Sequence, residues 1–217
     1  MNIKKIRKKV RRGLSTGHRI RKSDGVKAEA RFMLEKPLLL LIKKKKPAVQ
    51  KNTILLMTRT EASGNVYTLF RYLIEHHYND TYKIYYMTEH RNNFGDYKNV
   101  EYVDKFVDRE RRAVSYRALY LAYTCQYVFY THSSDVGWIR YAQDEQIFVN
   151  LWHGCSFKTN IAANHTFFDY VLVPGRIFVE TKKEFFGCHP SKILPIGYPV
   201  YDVFKKHAAE DYARGLK

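Results

Sequence analysis

Two histidines in this sequence stand where proton chemistry is commonly done. Gln146-Ile147-Phe148-Val149-Asn150-Leu151-Trp152 is an apolar, β-prone run that stops at His153 and Gly154. It reads as a buried strand whose carboxyl end opens into a loop, and in open parallel sheets that rim is where ligands bind. An imidazole there can take a proton near neutral pH or serve structure alone. Thr131-His132-Ser133-Ser134-Asp135 follows a second strand-like run and brings another histidine to the same rim. Serine and aspartate beside a histidine invite a hydrolytic triad, but no G-x-S-x-G elbow exists and loops favour both residues anyway. A third candidate is Thr58-Arg59-Thr60-Glu61-Ala62-Ser63-Gly64-Asn65, a Gly-bearing loop entering a helix, where backbone N–H groups could hold an anion. The plainer alternative is a capped helix start with Ser63 or Asn65 as the cap. A single glycine, with neither G-x-G-x-x-G nor G-x-x-x-x-G-K-[ST], disfavours a dinucleotide or Walker site. His132, His153, His165 and His189 lack the close pairing of H-E-x-x-H and have no carboxylate cluster. Cys125, Cys155 and Cys188 are odd in number, widely spaced and without a Cys-x-x-Cys pair, so neither a metal nor a disulfide framework is implied. No cofactor is expected.

These residues need a sheet to position them. From Lys51 onward short apolar runs alternate with helical patterns, the signature of βαβ units and a mostly parallel sheet. Strands are predicted near Thr53–Thr58, Lys83–Thr88, Val100–Val103, Tyr127–Tyr130, Ile147–Leu151, Tyr170–Val173 and Ile193–Ile196. Helices are predicted over Asn65–His77, Arg109–Tyr123 and Arg176–Phe186, each with apolar residues on one side, such as Val66, Leu69, Phe70, Leu73 and Ile74 in the first. The expected class is α/β with a Rossmann-like parallel sheet.

Composition bounds the rest. A chain of 217 residues, 45% hydrophobic and 15% aromatic, suffices for one well-cored domain plus an arm. The net charge of +17 is concentrated: residues 1–46 hold 17 Lys/Arg against 3 Asp/Glu, whereas the remainder holds 21 against 18. A basic arm seeks polyanions. Within it Ile3, Ile6, Val10 and Leu14 recur every three or four residues, with Lys4, Lys5, Arg7, Lys8 and Lys9 between them. A helix of that pattern lies on an anionic membrane surface, each cation adding on the order of 1 kcal/mol. A second apolar patch, Phe32-Met33-Leu34 and Leu38 to Ile42, is flanked by Lys36 and Lys43–Lys46. A solvated basic tail, with a helix packing on the body, is the alternative. No apolar run approaches the roughly 18 residues needed to span a bilayer, and no secretory signal is evident. The arm has almost no aromatics for base stacking, so nucleic acid is not the expected partner.

The motifs then align in order. Phe148-Val149-Asn150-Leu151-Trp152-His153-Gly154-Cys155-Ser156-Phe157-Lys158, Phe168-Asp169-Tyr170-Val171-Leu172-Val173-Pro174, Phe185-Phe186-Gly187 and Lys192-Ile193-Leu194-Pro195-Ile196-Gly197-Tyr198-Pro199 with Asp202 resemble the CDP-glycerol glycerophosphotransferases of wall teichoic acid synthesis. The resemblance covers residues 52–204, and its specific part residues 146–204. It differs after Trp-His-Gly, where the family usually has Thr-Pro-Leu-Lys, and at Val200, where arginine is common. The resemblance implies the N-terminal, acceptor-presenting half of a GT-B-like transferase. It divides the chain into a membrane-associating arm (1–46), a Rossmann-like acceptor domain (47–204) and the start of a linker (205–217) to a donor-binding half that lies outside this sequence. It implies His153 as catalytic base, with Gly154, Lys158, His132, Ser63, Gly64 and Asn65 lining the acceptor site. It implies CDP-glycerol or CDP-ribitol as donor, a polyprenyl-linked glycerol-phosphate acceptor, and a peripheral location on the cytoplasmic face of the membrane. A GT-B glycosyltransferase using a sugar nucleotide, and a non-catalytic polyanion-binding module, are the alternatives.

Overall fold

In the structure, a computed structural model, residues 37–38, 40–58, 62–104, 115–132, 142–154 and 168–205 are described. The arm residues Ile3 to Leu14, the patch Phe32 to Leu34, Ser133 to Asp135, Lys158, His165 and residues 206–217 lie outside them. All seven predicted strands form: β1 (Gln50–Met57), β2 (Lys83–Met87), β3 (Val100–Val103), β4 (Cys125–Tyr130), β5 (Ile147–Asn150), β6 (Tyr170–Leu172) and β7 (Ile193–Leu194). They make one sheet in the order β3-β2-β1-β4-β5-β6-β7, with every neighbouring pair parallel. The helices are α1 (Gly64–Glu75), α2 (Tyr116–Thr124) and α3 (Val179–Phe186). This is an α/β, Rossmann-like fold.

Alternation along each strand makes two apolar layers, because successive side chains point to opposite faces. Ile54, Leu56, Ile84 and Tyr86 meet Val66, Phe70 and Leu73 of α1 on one face. Leu55, Met57, Tyr85, Met87 and Val128 meet Ala118, Leu119 and Ala122 of α2 and Phe186 of α3 on the other. Both faces are covered, which is why the strands read as near-continuous apolar runs. Fully burying such a side chain is worth about 1.5–3 kcal/mol. Ile42, only 1% exposed, joins the second layer, with Leu38 packed against it. Helical residues 40–45 therefore rest on the body, while Leu40 and Leu41 face solvent.

Three boundaries depart from the sequence pattern for local reasons. β1 begins at Gln50, ahead of the predicted Thr53, because a bulge between Gln50 and Ile54 lets polar residues pair with β4. Asn52 takes φ 55 there, and its N–H donates to Gln126 Oε1 at 2.9 Å. β4 begins at Cys125, which is also the C-cap of α2, so helix passes into strand with no connecting loop. β7 is only two residues long because Pro195, lacking an N–H, cannot continue the ladder. At the end of α3, Gly187 adopts φ 59. The Cys188 N–H donates to the Lys183 carbonyl and the Gly187 N–H to that of Glu184, a Schellman closure that glycine makes at no steric cost.

Candidate functional site

The strand order reverses between β1 and β4, and at such a reversal the loops leaving the carboxyl ends diverge to open a crevice. Three loops meet beside it: the start of α1 after β1, Thr131-His132 after β4, and Trp152-His153-Gly154 after β5. β4 and β5 are neighbours in register, Tyr130 opposite Asn150, so the two histidines come together. Their rings stack with centroids 4.0 Å apart and planes within 4°. His132 is half-buried and His153 exposed.

The hydrogen bonds of the pair converge on Thr131. Its carbonyl lies 2.9 Å from His153 Nδ1, and its hydroxyl lies 2.8 Å from His132 Nδ1. A carbonyl can only accept, so Nδ1 of His153 carries the hydrogen and, in the neutral ring, Nε2 keeps its lone pair. Nε2 has no hydrogen-bond partner among the described residues and lies on an exposed side chain. The neighbouring Gly154 is uncrowded: a Cβ added there would meet nothing within 4 Å. The arrangement offers a fixed tautomer with its acceptor nitrogen toward the rim.

The backbone carrying His153 is strained and clamped. Trp152 sits at φ 54, a left-handed conformation that costs a bulky residue about 1–3 kcal/mol. Its N–H donates to Asn150 Oδ1 at 2.8 Å. The amide of Asn65, in the first turn of α1, donates to the carbonyls of Leu151 (3.1 Å) and Trp152 (2.9 Å) and accepts from the Val200 N–H at 3.2 Å. The Tyr198 hydroxyl donates to the Gly154 carbonyl at 3.0 Å. Gly197, at φ +89, makes the turn that presents it. The Trp-His-Gly and Gly-Tyr-Pro motifs are thus parts of one hydrogen-bonded unit.

The expected site residues separate into two groups. His132, His153 and Gly154 are brought together at the rim. Asn65 is buried, with both ends of its amide committed to backbone groups, so it positions the His153 loop. Ser63 is the residue before α1 and is exposed, but its side chain makes no capping bond. Gly64 opens the helix at φ 75 and is exposed. Asp169 of the Phe-Asp-Tyr run is structural: its carboxylate accepts the Phe148 N–H at 2.8 Å, and its own N–H donates to the Phe148 carbonyl. Among the described residues no group of three or more His, Cys, Asp or Glu side chains could hold one metal ion.

Sequence reasoning missed Thr131, Tyr198 as a hydrogen-bond donor, and Lys182. Lys182 is wholly buried, with its ammonium 5.6 Å from the Trp152 ring centroid. Nothing in the polar run Glu180-Thr181-Lys182-Lys183-Glu184 marks it. For Tyr198 the signal was present, since Gly-Tyr-Pro recurs in fixed order after Trp-His-Gly, but its partner was not legible.

Comparison with known proteins adds to this geometry. A family described as CDP-Glycerol:Poly(glycerophosphate) glycerophosphotransferase matches residues 38–217. No curated protein sequence matches the chain. Among solved structures, a variant of the wall teichoic acid polymerase TagF superposes with a TM-score of 0.63 at 15% identity, covering 98% of this chain and 52% of that one. The unsubstituted polymerase gives a TM-score of 0.60 at 17% identity over 98% of this chain and 51% of that one. A variant soaked with CDPG gives 0.61 at 15% over 100% and 54%. At such identities the likeness shows the fold. The chain spans about half the length of the TagF structures it matches.

Proposed function

Because the chain belongs to the CDP-glycerol:poly(glycerophosphate) glycerophosphotransferase family, we propose that residues 47–204 are the acceptor-presenting half of a GT-B-like polyol-phosphate transferase, with His153 as its base. The observation that carries this is the His153 tautomer. Nδ1 is held by the Thr131 carbonyl, and Nε2 is left as an acceptor on the open rim.

In the proposed reaction the hydroxyl of a polyprenyl-linked glycerol-phosphate acceptor lies in the crevice within hydrogen-bond reach of His153 Nε2. As its oxygen attacks the β-phosphorus of CDP-glycerol, or of CDP-ribitol, the proton passes to Nε2. The bond from that phosphorus to the bridging oxygen breaks, CMP leaves, and the acceptor gains one polyol phosphate. The Thr131 carbonyl then stabilises the imidazolium through the Nδ1 hydrogen. Phosphoryl transfer of this kind depends on positioning and on fixed donors for the phosphoryl oxygens. The donor-binding half supplies most of these, and the start of α1 at Ser63-Gly64 contributes backbone N–H groups toward the acceptor phosphates, with Lys158 as a further candidate anion contact from the sequence. Residues 1–46 hold the protein peripherally on the cytoplasmic, anionic face of the membrane. Among the described residues no helix is long and apolar enough to cross one.

The test is His153→Ala in the chain joined to its donor-binding half, followed by CMP release from CDP-glycerol with a lipid-linked acceptor. General-base catalysis contributes about 10²- to 10⁴-fold, so turnover falls by at least that lower figure. Unchanged turnover would refute the assignment.

A further inference from the structure

We propose that Lys182 is a positioning residue for His153: its buried ammonium, lodged against the indole of Trp152, keeps that ring stacked on the imidazole and so fixes where Nε2 points. The importance of this for catalysis rests on His153 being the base; the stack itself does not.

Lys182 is 0% exposed and is one of the largest fully buried side chains in the protein. Lysine is almost never fully buried without partners, because desolvating an ammonium is expensive. Part of what surrounds it is aromatic. Nζ lies 4.7 Å from the Phe185 ring centroid and 5.6 Å from that of Trp152, both within the roughly 6 Å at which a ring quadrupole attracts a cation. Lys182, Phe185 and Phe186 fall at i, i+3 and i+4 on α3, so they share one helix face. That face meets the indole. Phe185 and Phe186 present edges to it at 5.7 and 4.9 Å, and His153 lies over it at 4.3 Å with a 34° tilt. His132 then stacks on His153. The result is a continuous run of contacts: ammonium, indole, the exposed imidazole of His153 and the half-buried imidazole of His132.

The main-chain clamps described above fix the Trp152 backbone, but they leave the direction of its side chain open. The indole direction is set by side-chain packing: Trp152 lies against both apolar layers and edge-to-face with Phe185 and Phe186, with the Lys182 ammonium on the same side. Lys182 supplies attraction that an apolar side chain of the same length would not. The charge acts through Trp152 and touches neither acceptor nor donor.

The experiment compares the wild-type chain with Lys182→Met, which keeps length and removes charge, and Lys182→Arg, which keeps charge. Histidine-labelled protein is examined by NMR for the ring-current displacement of the His153 Hδ2 and Hε1 signals, and the carbethoxylation rate of His153 by diethyl pyrocarbonate is measured in parallel. A thermal melt confirms folding. Lys182→Met is expected to fold, to lose half or more of the displacement and to change the carbethoxylation rate about threefold or more; Lys182→Arg keeps most of the displacement. In the complete transferase Lys182→Met lowers kcat about 5- to 30-fold with KM little changed. A folded Lys182→Met with wild-type signals and reactivity overturns the proposal and leaves Lys182 as filling alone. Should Lys182→Met not fold, Lys182→Gln gives the uncharged comparison; failure of both to fold also overturns it, since the charge would then serve folding and not aim. The NMR readout needs no turnover. Full activity in His153→Ala would sink the base assignment and leave the run of contacts standing.

Discussion

Asn65→Ala removes one buried amide and releases three backbone groups at once: the carbonyls of Leu151 and Trp152 and the N–H of Val200. Each hydrogen bond is worth about 0.5–1.5 kcal/mol net, more where the abandoned partner stays buried. Leu151 is 2% exposed, while Trp152 and Val200 are half-buried and can recruit water. The sum is about 2–4 kcal/mol of stability. At about 2–4 °C per kcal/mol for a domain of this size, Tm falls by roughly 4–16 °C. Urea unfolding followed by the fluorescence of the two tryptophans reads the same quantity as a midpoint shift. Asn65→Asp sharpens the test. It keeps an acceptor for the Val200 N–H, and a carboxylate in the first turn of a helix gains about 0.3–1 kcal/mol from the dipole. It also faces two carbonyl oxygens with a negative charge where two donated hydrogens stood, a loss that outweighs that gain. The aspartate variant is therefore expected to be no more stable than the alanine one. If alanine cost less than about 0.5 kcal/mol, or aspartate matched wild type, Asn65 would not be the clamp described here and its role as a direct acceptor contact would regain force.

Tyr198→Phe removes only the hydroxyl that binds the Gly154 carbonyl, and is expected to lower stability by about 1 kcal/mol, read as a urea midpoint shift with an unchanged slope. Burial pushes the Cys125 thiol up to about 12, against a weaker opposing hydrogen bond from Thr53, so iodoacetamide at pH 8 should leave Cys125 unlabelled in the native chain and label it in urea, as peptide mass spectrometry will show. Tyr102 is likewise raised to about 12, chiefly by burial. In the unfolded chain both groups give up their protons first, at the ordinary values of 9.0 and 10.0. The stability they contribute is thus complete below about pH 9 and is lost as pH climbs toward 12, which a series of melts across that window checks. Residues 1–46 should carry the chain onto anionic liposomes and release it at high salt; equal binding to neutral liposomes would count against the membrane arm.

The strands were legible because each was an apolar run bounded by polar or turn residues, and both faces of the sheet are covered. What the pattern hid was where polar residues join the ladder. Gln50-Lys51-Asn52 reads as loop, yet it extends β1 through a bulge. Ile196 completes an apolar run in sequence, yet it stands 74% exposed beyond Pro195, where the strand has already stopped. The meeting of His132 and His153 was legible because both follow strands predicted to end at one rim. The burial of Lys182 was not, because two adjacent lysines in a short helix read as solvent-facing. One of them is interior partly through a tryptophan thirty positions earlier in the chain, a contact that no local pattern shows. Asn65 posed the same difficulty: its amide partners lie 86 and 87 residues away, and a residue at a helix start is read first as a cap.

These long-range contacts also limit the order of events at the rim. With Nδ1–H given to the Thr131 carbonyl, neutral His153 has nothing to donate at Nε2 and can only accept there. It can return a proton to a leaving oxygen only after taking one up, so in the proposed reaction the ring acts as a base toward the acceptor hydroxyl before it can act as an acid. The alternative tautomer would set an Nδ1 lone pair against a carbonyl oxygen 2.9 Å away, replacing a hydrogen bond with a repulsion. The order of proton movement is therefore built into the backbone of Thr131 and not into the chemistry of the imidazole. A perturbation that moves that carbonyl should impair the base more than one that alters the exposed edge of the ring.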